Sequence, residues 1–183
     1  MKKISIISLM FLMLACLNAC DKKQPTGERT TMGRAKVSIN DAPWQCDWLA
    51  IIPTNNDSEL FNVMLAQGGN IKDHFSASEI MSIQTFKNIL GRQKLYNLGD
   101  FSEAVADFKV VPYGHSGAIC DWFLVDTTNS AANWLEIYKE EDDFKKIWAR
   151  FEMKMYKKEP NMCDKGRNYP DTIRVKGEFF AAF

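Results

Sequence analysis

Histidine is nearly missing from this chain: there are two in 183 residues, His74 and His115. That scarcity removes most zinc sites and most acid–base or nucleophile pairs built on imidazole. An excess of one charge is missing too. Lys and Arg number 23 and Asp and Glu 23. No basic stripe is long enough to track a phosphate backbone, so no nucleic acid is expected as a partner. No cofactor fingerprint or metal-ligand spacing occurs, so neither cofactor nor metal is expected. What the chain does hold is aromatic weight, with five Trp and twelve Phe, enough for a folded core.

The first twenty residues, MKKISIISLMFLMLACLNAC, have two lysines, then an apolar run from Ile4 to about Leu17. The run is short for a membrane span and ends on small residues, the pattern of a secretory signal. Leu17-Asn18-Ala19-Cys20 resembles the lipobox of bacterial lipoproteins, with Met13-Leu14-Ala15-Cys16 as a competing match. The resemblance implies a signal over 1–19, acylation of Cys20 and a periplasmic protein held by a lipid anchor. Asp21 favours the inner membrane over the outer. Without Lys2 and Lys3, the 23 basic and 23 acidic residues leave a net charge near −2. Residues 20–35 contain almost nothing to bury and read as the acylated cysteine and a flexible tether. A single globular domain over 36–183 follows.

The body reads as α+β, a mostly antiparallel sheet carrying two amphipathic helices. Alternation in Lys36-Val37-Ser38-Ile39 and the β-formers of 44–52 predict strands. The turn cluster at 53–58 predicts a hairpin into 59–67, with a short helix over 57–67 as the rival. Ser76 and Glu79 form a capping-box pattern, with Phe75 and Ile80 as its staple. Ile80, Ile83, Phe86 and Leu90 then predict a helix closed by Gly91. Asp100 and Glu103 are candidate caps for a further short helix. Strands are predicted over 108–113, 118–125, 134–138 and 172–180. Four acids at 140–143, the stripe Phe144, Ile147, Trp148, Phe151 and Met155, and Pro160 beyond predict the second long helix. The tripeptide Cys-Asp-Trp occurs at 46–48 and again at 120–122. The echo admits a tandem repeat of β-β-β-α units, with halves 36–108 and 109–183.

Three body cysteines, Cys46, Cys120 and Cys163, are each followed by Asp, which disfavours a thiolate. The stretch 118–125 is weakly similar to the motif of cell-wall cysteine peptidases. It departs from that motif in lacking Ser-Gly after the cysteine and in having both histidines upstream. Gly114-His115-Ser116-Gly117 reads as a turn, one residue short of a nucleophile elbow. An oxidising periplasm points to a disulfide. Three pairings are open. Matching positions favour Cys46–Cys120, which would close a loop of about 75 residues worth ~4.5 kcal/mol in the chain-entropy model.

The expected function is a protein-binding module rather than an enzyme. Its most concrete form is an immunity or inhibitor protein that neutralises a toxin or lytic enzyme acting in the periplasm. Two other readings stay open. One is an accessory lipoprotein of envelope assembly or secretion, using the seven basic and three acidic residues of 154–176. The other is a cysteine hydrolase using Cys120. Candidate binding residues are Trp44, Tyr113, Trp134 and Tyr138; Trp48 and Trp122 are assigned to the core.

Overall fold

The computed structural model describes residues 32–53, 60–69, 77–86, 89–97, 104–111, 119–142, 145–159 and 169–182. Among them the regular elements are strands, apart from a 3-10 turn at Thr127–Ala132. In chain order the strands are β1 (Met32–Ile39), β2 (Ala42–Trp44), β3 (Trp48–Pro53), β4 (Leu60–Gln67), β5 (Glu79–Phe86) and β6 (Gly91–Tyr96). They continue with β7 (Ala104–Val110), β8 (Asp121–Val125), β9 (Trp134–Glu141), β10 (Lys146–Glu159) and β11 (Thr172–Ala182).

The α+β expectation is overturned. Where two helices were predicted, the chain forms β5 and β10. The reason is the burial period. In β10 the buried residues are Ile147, Ala149, Phe151, Met153 and Met155, every second position, with Trp148, Arg150, Glu152 and Lys154 between them. In β5 Met81, Ile83 and Thr85 are buried while Ile80 and Phe86 lie on the other face. Glu79 does not cap a helix. Its carboxylate is buried and accepts hydrogen bonds from the Trp44 indole at 2.5 Å and the Tyr169 hydroxyl at 3.0 Å. Without those helices the β-β-β-α repeat falls as well. The hairpin does form, as β3 pairs antiparallel with β4 from Trp48↔Ala66 to Pro53↔Phe61; the rival helix over 57–67 does not. β1 takes in Met32–Ala35, which the sequence pattern assigned to the tether. Asp100 and Glu103 lie outside the described residues, and the short helix they were expected to cap is replaced by β7 from Ala104 onward.

The strands make one sheet in the order β2-β1-β11-β10-β9-β6-β7-β5-β4-β3, with β8 paired to both β10 and β7. The described pairs are antiparallel except β6 with β7. β10 is the spine. One edge runs along β11 from Lys146↔Ala182 to Tyr156↔Thr172. The other edge takes β9 over Lys146–Glu152 and then β8 over Met155–Glu159. β8 and β9 are therefore one strand line, interrupted by the excursion of 126–133. Asn133 closes its neck: Nδ2 donates to the Asp126 carbonyl at 2.6 Å, and Oδ1 accepts from the Lys154 amide at 2.7 Å.

The sheet rolls until its ends meet. A Cβ on Gly33 of β1 would lie 2.7 Å from Cδ2 of Leu49 in β3. Across the interior, Trp44 of β2 packs edge-on against Phe108 of β7 at 6.2 Å. Gly177 allows the close approach of β1, β10 and β11. A Cβ there would meet Phe151 Cζ and the Lys36 carbonyl oxygen, each at 2.9 Å. Every strand sends residues into one core cluster, with Phe61, Phe108, Phe123 and Phe151 among its largest members. A small second cluster around Trp48, Ala50 and Ala66 covers part of the outside.

Candidate functional site

Two places concentrate functional side chains. One is the inner end of the roll near the second Cys-Asp-Trp. The other is the outer face of β6, β9, β10, β11 and β1.

At the inner end, Glu79, Val110 and Asp121 stand in one cross-strand row. Asp121 is fully buried. Lys157 continues the inward period of β10 and lies 3.3 Å from the Asp121 carboxylate. The same ammonium donates to the Tyr169 carbonyl at 3.1 Å, and Tyr169 packs edge-on against Phe108 and Phe123. Buried charges need such pairing, because an unpaired one costs several kcal/mol. The cluster fastens β5, β7, β8, β10 and the segment before β11 to one another, and it opens on no described cavity.

The two Cys-Asp-Trp stretches are not equivalent. Asp47 is exposed, and its carboxylate accepts from the Gly68 amide at 2.6 Å. Trp48 is buried and its indole donates to the Gly68 carbonyl at 3.0 Å. Together they clamp the turn after β4, where Gly68 takes φ 74°. Trp122, by contrast, is not in the core. It is half-buried on the outside between Lys109 and Lys158, at 5.5 and 4.3 Å from the ring, and its indole donates to Asp107 at 3.1 Å. The cysteines differ as well. Cys46 is a free thiol whose pKa burial pushes up to about 11. Cys120 is disulfide-bonded, so the Cys46–Cys120 link is not formed; its partner sulphur lies outside the described residues, as do Cys163, Cys20, His74 and His115. Neither described sulphur is the available thiolate that a hydrolase needs.

The outer face is built by strand register. Arg92, Glu136, Arg150, Glu178 and Lys36 stand opposite one another on β6, β9, β10, β11 and β1, so charge alternates across five strands, beginning and ending positive. One pair of residues along lies a second row, Lys94, Trp134, Glu152, Lys176 and Ser38. On the other side lies a third, Lys139, Trp148, Phe180 and Arg34. Tyr138 is the extra residue of a bulge, since Lys139 faces Trp148 and Ile137 faces Ala149. The bulge turns its ring outward, leaving it 47% exposed.

These rings are held in place. Trp148 and Phe180 stack at 4.7 Å. Lys139 lies 4.1 Å from the Trp148 ring, Arg92 lies 4.3 Å from Trp134, and Arg150 lies 5.9 Å from Tyr138. The Arg150 guanidinium donates to Glu136 at 2.8 Å and holds its carboxyl below the ordinary range. Arg174 reaches Glu152, and Lys176 reaches Asp41, whose carboxyl it also holds low. Arg34, Lys36 and Glu178 make no ion pair among the described residues. Two adjoining depressions share Lys36 and Glu178: one of about 610 Å³ reaching Trp134 and Lys176, and one of about 310 Å³ reaching Tyr138 and Trp148.

Of the four candidate binding residues, the structure brings Trp134 and Tyr138 together on β9. Trp44 is moved to the core, 4% exposed, and Tyr113 lies outside the described residues. Sequence reasoning missed Trp148, Phe180, Arg150 and Lys36, because the helical stripe counted Trp148 as buried. The alternation of 146–156 carried the signal. The basic excess of 154–176 divides among the described residues: Lys157 points inward and Lys158 lies over Trp122, while Lys154 stands opposite Arg174 beside Lys176 at one end of the outer face. No described group of His, Cys, Asp and Glu could hold a metal ion. The chain matches no protein-family model, no curated protein and no solved structure.

Proposed function

We propose that the chain is a membrane-tethered periplasmic lipoprotein that captures a protein partner on the outer face of β9, β10, β11 and β1. Its most concrete form is an immunity or inhibitor protein that neutralises a toxin or lytic enzyme delivered into that compartment. One observation supports the reading above the others: a groove on a rigid sheet presents Tyr138, Trp148 and Trp134, each ring fixed by a cation. Pre-ordered aromatic and Arg side chains carry most of the affinity at protein interfaces. A sheet holds them at little further entropy cost. The lipid anchor would keep the protector where the toxin arrives.

The test is cross-linking of the tagged full chain in intact cells, with Tyr138→Ala as the comparison. One protein captured by the wild type and lost with Tyr138→Ala supports the reading; identical captured sets refute it. Depleting the chain should sensitise cells to a periplasm-acting toxin. Unchanged survival against every delivered toxin removes the immunity form and leaves an accessory role in envelope assembly.

A further inference from the structure

The three outer-face rows carry seven basic residues and three acidic ones, although the whole chain balances 23 against 23. Adding the flanking partners Arg174, Lys146, Asp41, Glu141 and Asp142 lowers the local excess from four to three, still basic. The face therefore attracts a negative surface. Among the described residues nothing covers it.

A second copy of the chain is a poor occupant. The central row reads plus, minus, plus, minus, plus. Laid face to face on either in-plane two-fold axis through Arg150, that row meets itself like against like. Only a shift by one strand matches the signs, and it uncovers an edge. Like charges placed directly opposite are destabilising.

We propose that this face docks on an anionic lipid surface. Charge is the first argument. Each Lys or Arg held near such a surface contributes ~1 kcal/mol, and the rings of Tyr138, Trp148 and Phe180 are of the kind that settles at headgroup level beside cations. The second argument is where the chain leads. β1 begins at Met32 and carries Arg34 and Lys36 into the face. Eleven residues lie between Cys20 and Met32, a length that can span at most about 40 Å. An acylated Cys20 would hold the domain at high effective concentration against the bilayer. Four strand spacings set Arg92 and Lys36 roughly 19 Å apart, wide enough to meet several headgroups. The inference rests on the tether proposed above. Where the bilayer occupies the face, a protein partner binds there by displacing lipid.

The experiment takes the full chain from cells, fractionates it, and reconstitutes it into vesicles of phosphatidylglycerol and phosphatidylcholine, or of phosphatidylcholine alone, with brominated acyl chains. Bromine quenches indoles that it touches. The expected result is quenching in anionic vesicles that raised salt reverses, that Trp148→Phe diminishes, and that neutral vesicles do not show. Arg34→Gln with Lys36→Gln should shift docking roughly thirtyfold toward the undocked state; both side chains are exposed, so the fold is spared. A membrane-bound chain with unquenched indoles, or with equal quenching in neutral vesicles, overturns the docking and leaves the tether standing. Recovery in the soluble fraction overturns both.

Discussion

Asn133→Ala should be among the more damaging single changes outside the apolar core. The side chain is fully buried and closes the neck where the strand line of β8 and β9 leaves β10. Removing it leaves the Lys154 amide and the Asp126 carbonyl without their partners at 2.7 and 2.6 Å. Both bonds are part-buried; each orphaned group costs ~1–3 kcal/mol, so the expected loss is about 2–6 kcal/mol. That is a sizeable share of the roughly 5–15 kcal/mol typical of a domain. Urea unfolding followed by tryptophan fluorescence should show a midpoint lowered by about 1–2 M at an unchanged slope. Thr127→Ala, exposed in the same excursion, serves as control and should stay within ~0.5 kcal/mol. Asn133→Asp keeps the acceptor for Lys154 but sets a carboxylate against the Asp126 carbonyl, so it should not rescue. A loss below about 1 kcal/mol for Asn133→Ala would mean that water takes over both groups and that the neck is not sealed.

Two further outcomes follow from the Cys-Asp-Trp stretches. Alkylation of Cys46 should be about a hundredfold slower at neutral pH than that of a free cysteine. It should rise with an apparent pKa about 11, above the ordinary thiol value of 9.0. Because folding raises this pKa, the associated stability is intact below pH 9.0 and lost as the pH climbs through about 11; an apparent pKa near 9 would refute the burial. Trp48→Ala should cost ~3–5 kcal/mol. Trp122→Ala should cost less, about 1–2 kcal/mol, as its ring is half-solvated between two lysines; equal losses would contradict the different surroundings of the two rings.

Strands that combine aromatic and β-branched residues were legible: Thr172–Phe180, the hairpin of β3 and β4, and the lines of β8 and β9 all form. The two segments that misled carry both periods at once. Over 144–155, Phe144, Ile147, Phe151 and Met155 fit a helical stripe, while Ile147, Ala149, Phe151, Met153 and Met155 fit a strand. Ala, Met, Lys and Glu favour the helix locally. Pairing on both edges, with β11 on one side and with β9 and then β8 on the other, decides for the strand. The capping pattern at Ser76 and Glu79 failed for a similar reason, since the carboxylate serves Trp44 and Tyr169 from far along the chain. On the outer face, the aromatic character of Trp134 and Tyr138 was visible. The charge rows were not, because they exist only once register aligns five strands.

β1 pairs with β11 along its whole length, and Ser38 hydrogen-bonds to Lys176 across 138 positions. A nascent polypeptide of this design makes β1 well before β11, with nine strands between them. Until β11 arrives, β1 has only the three-residue β2 beside it and β10 has an open flank. Such distant pairing is slow to nucleate, and the waiting edges invite foreign strands. The chain thus closes its longest-range seam last. It also stands to gain from a holding chaperone for just that interval.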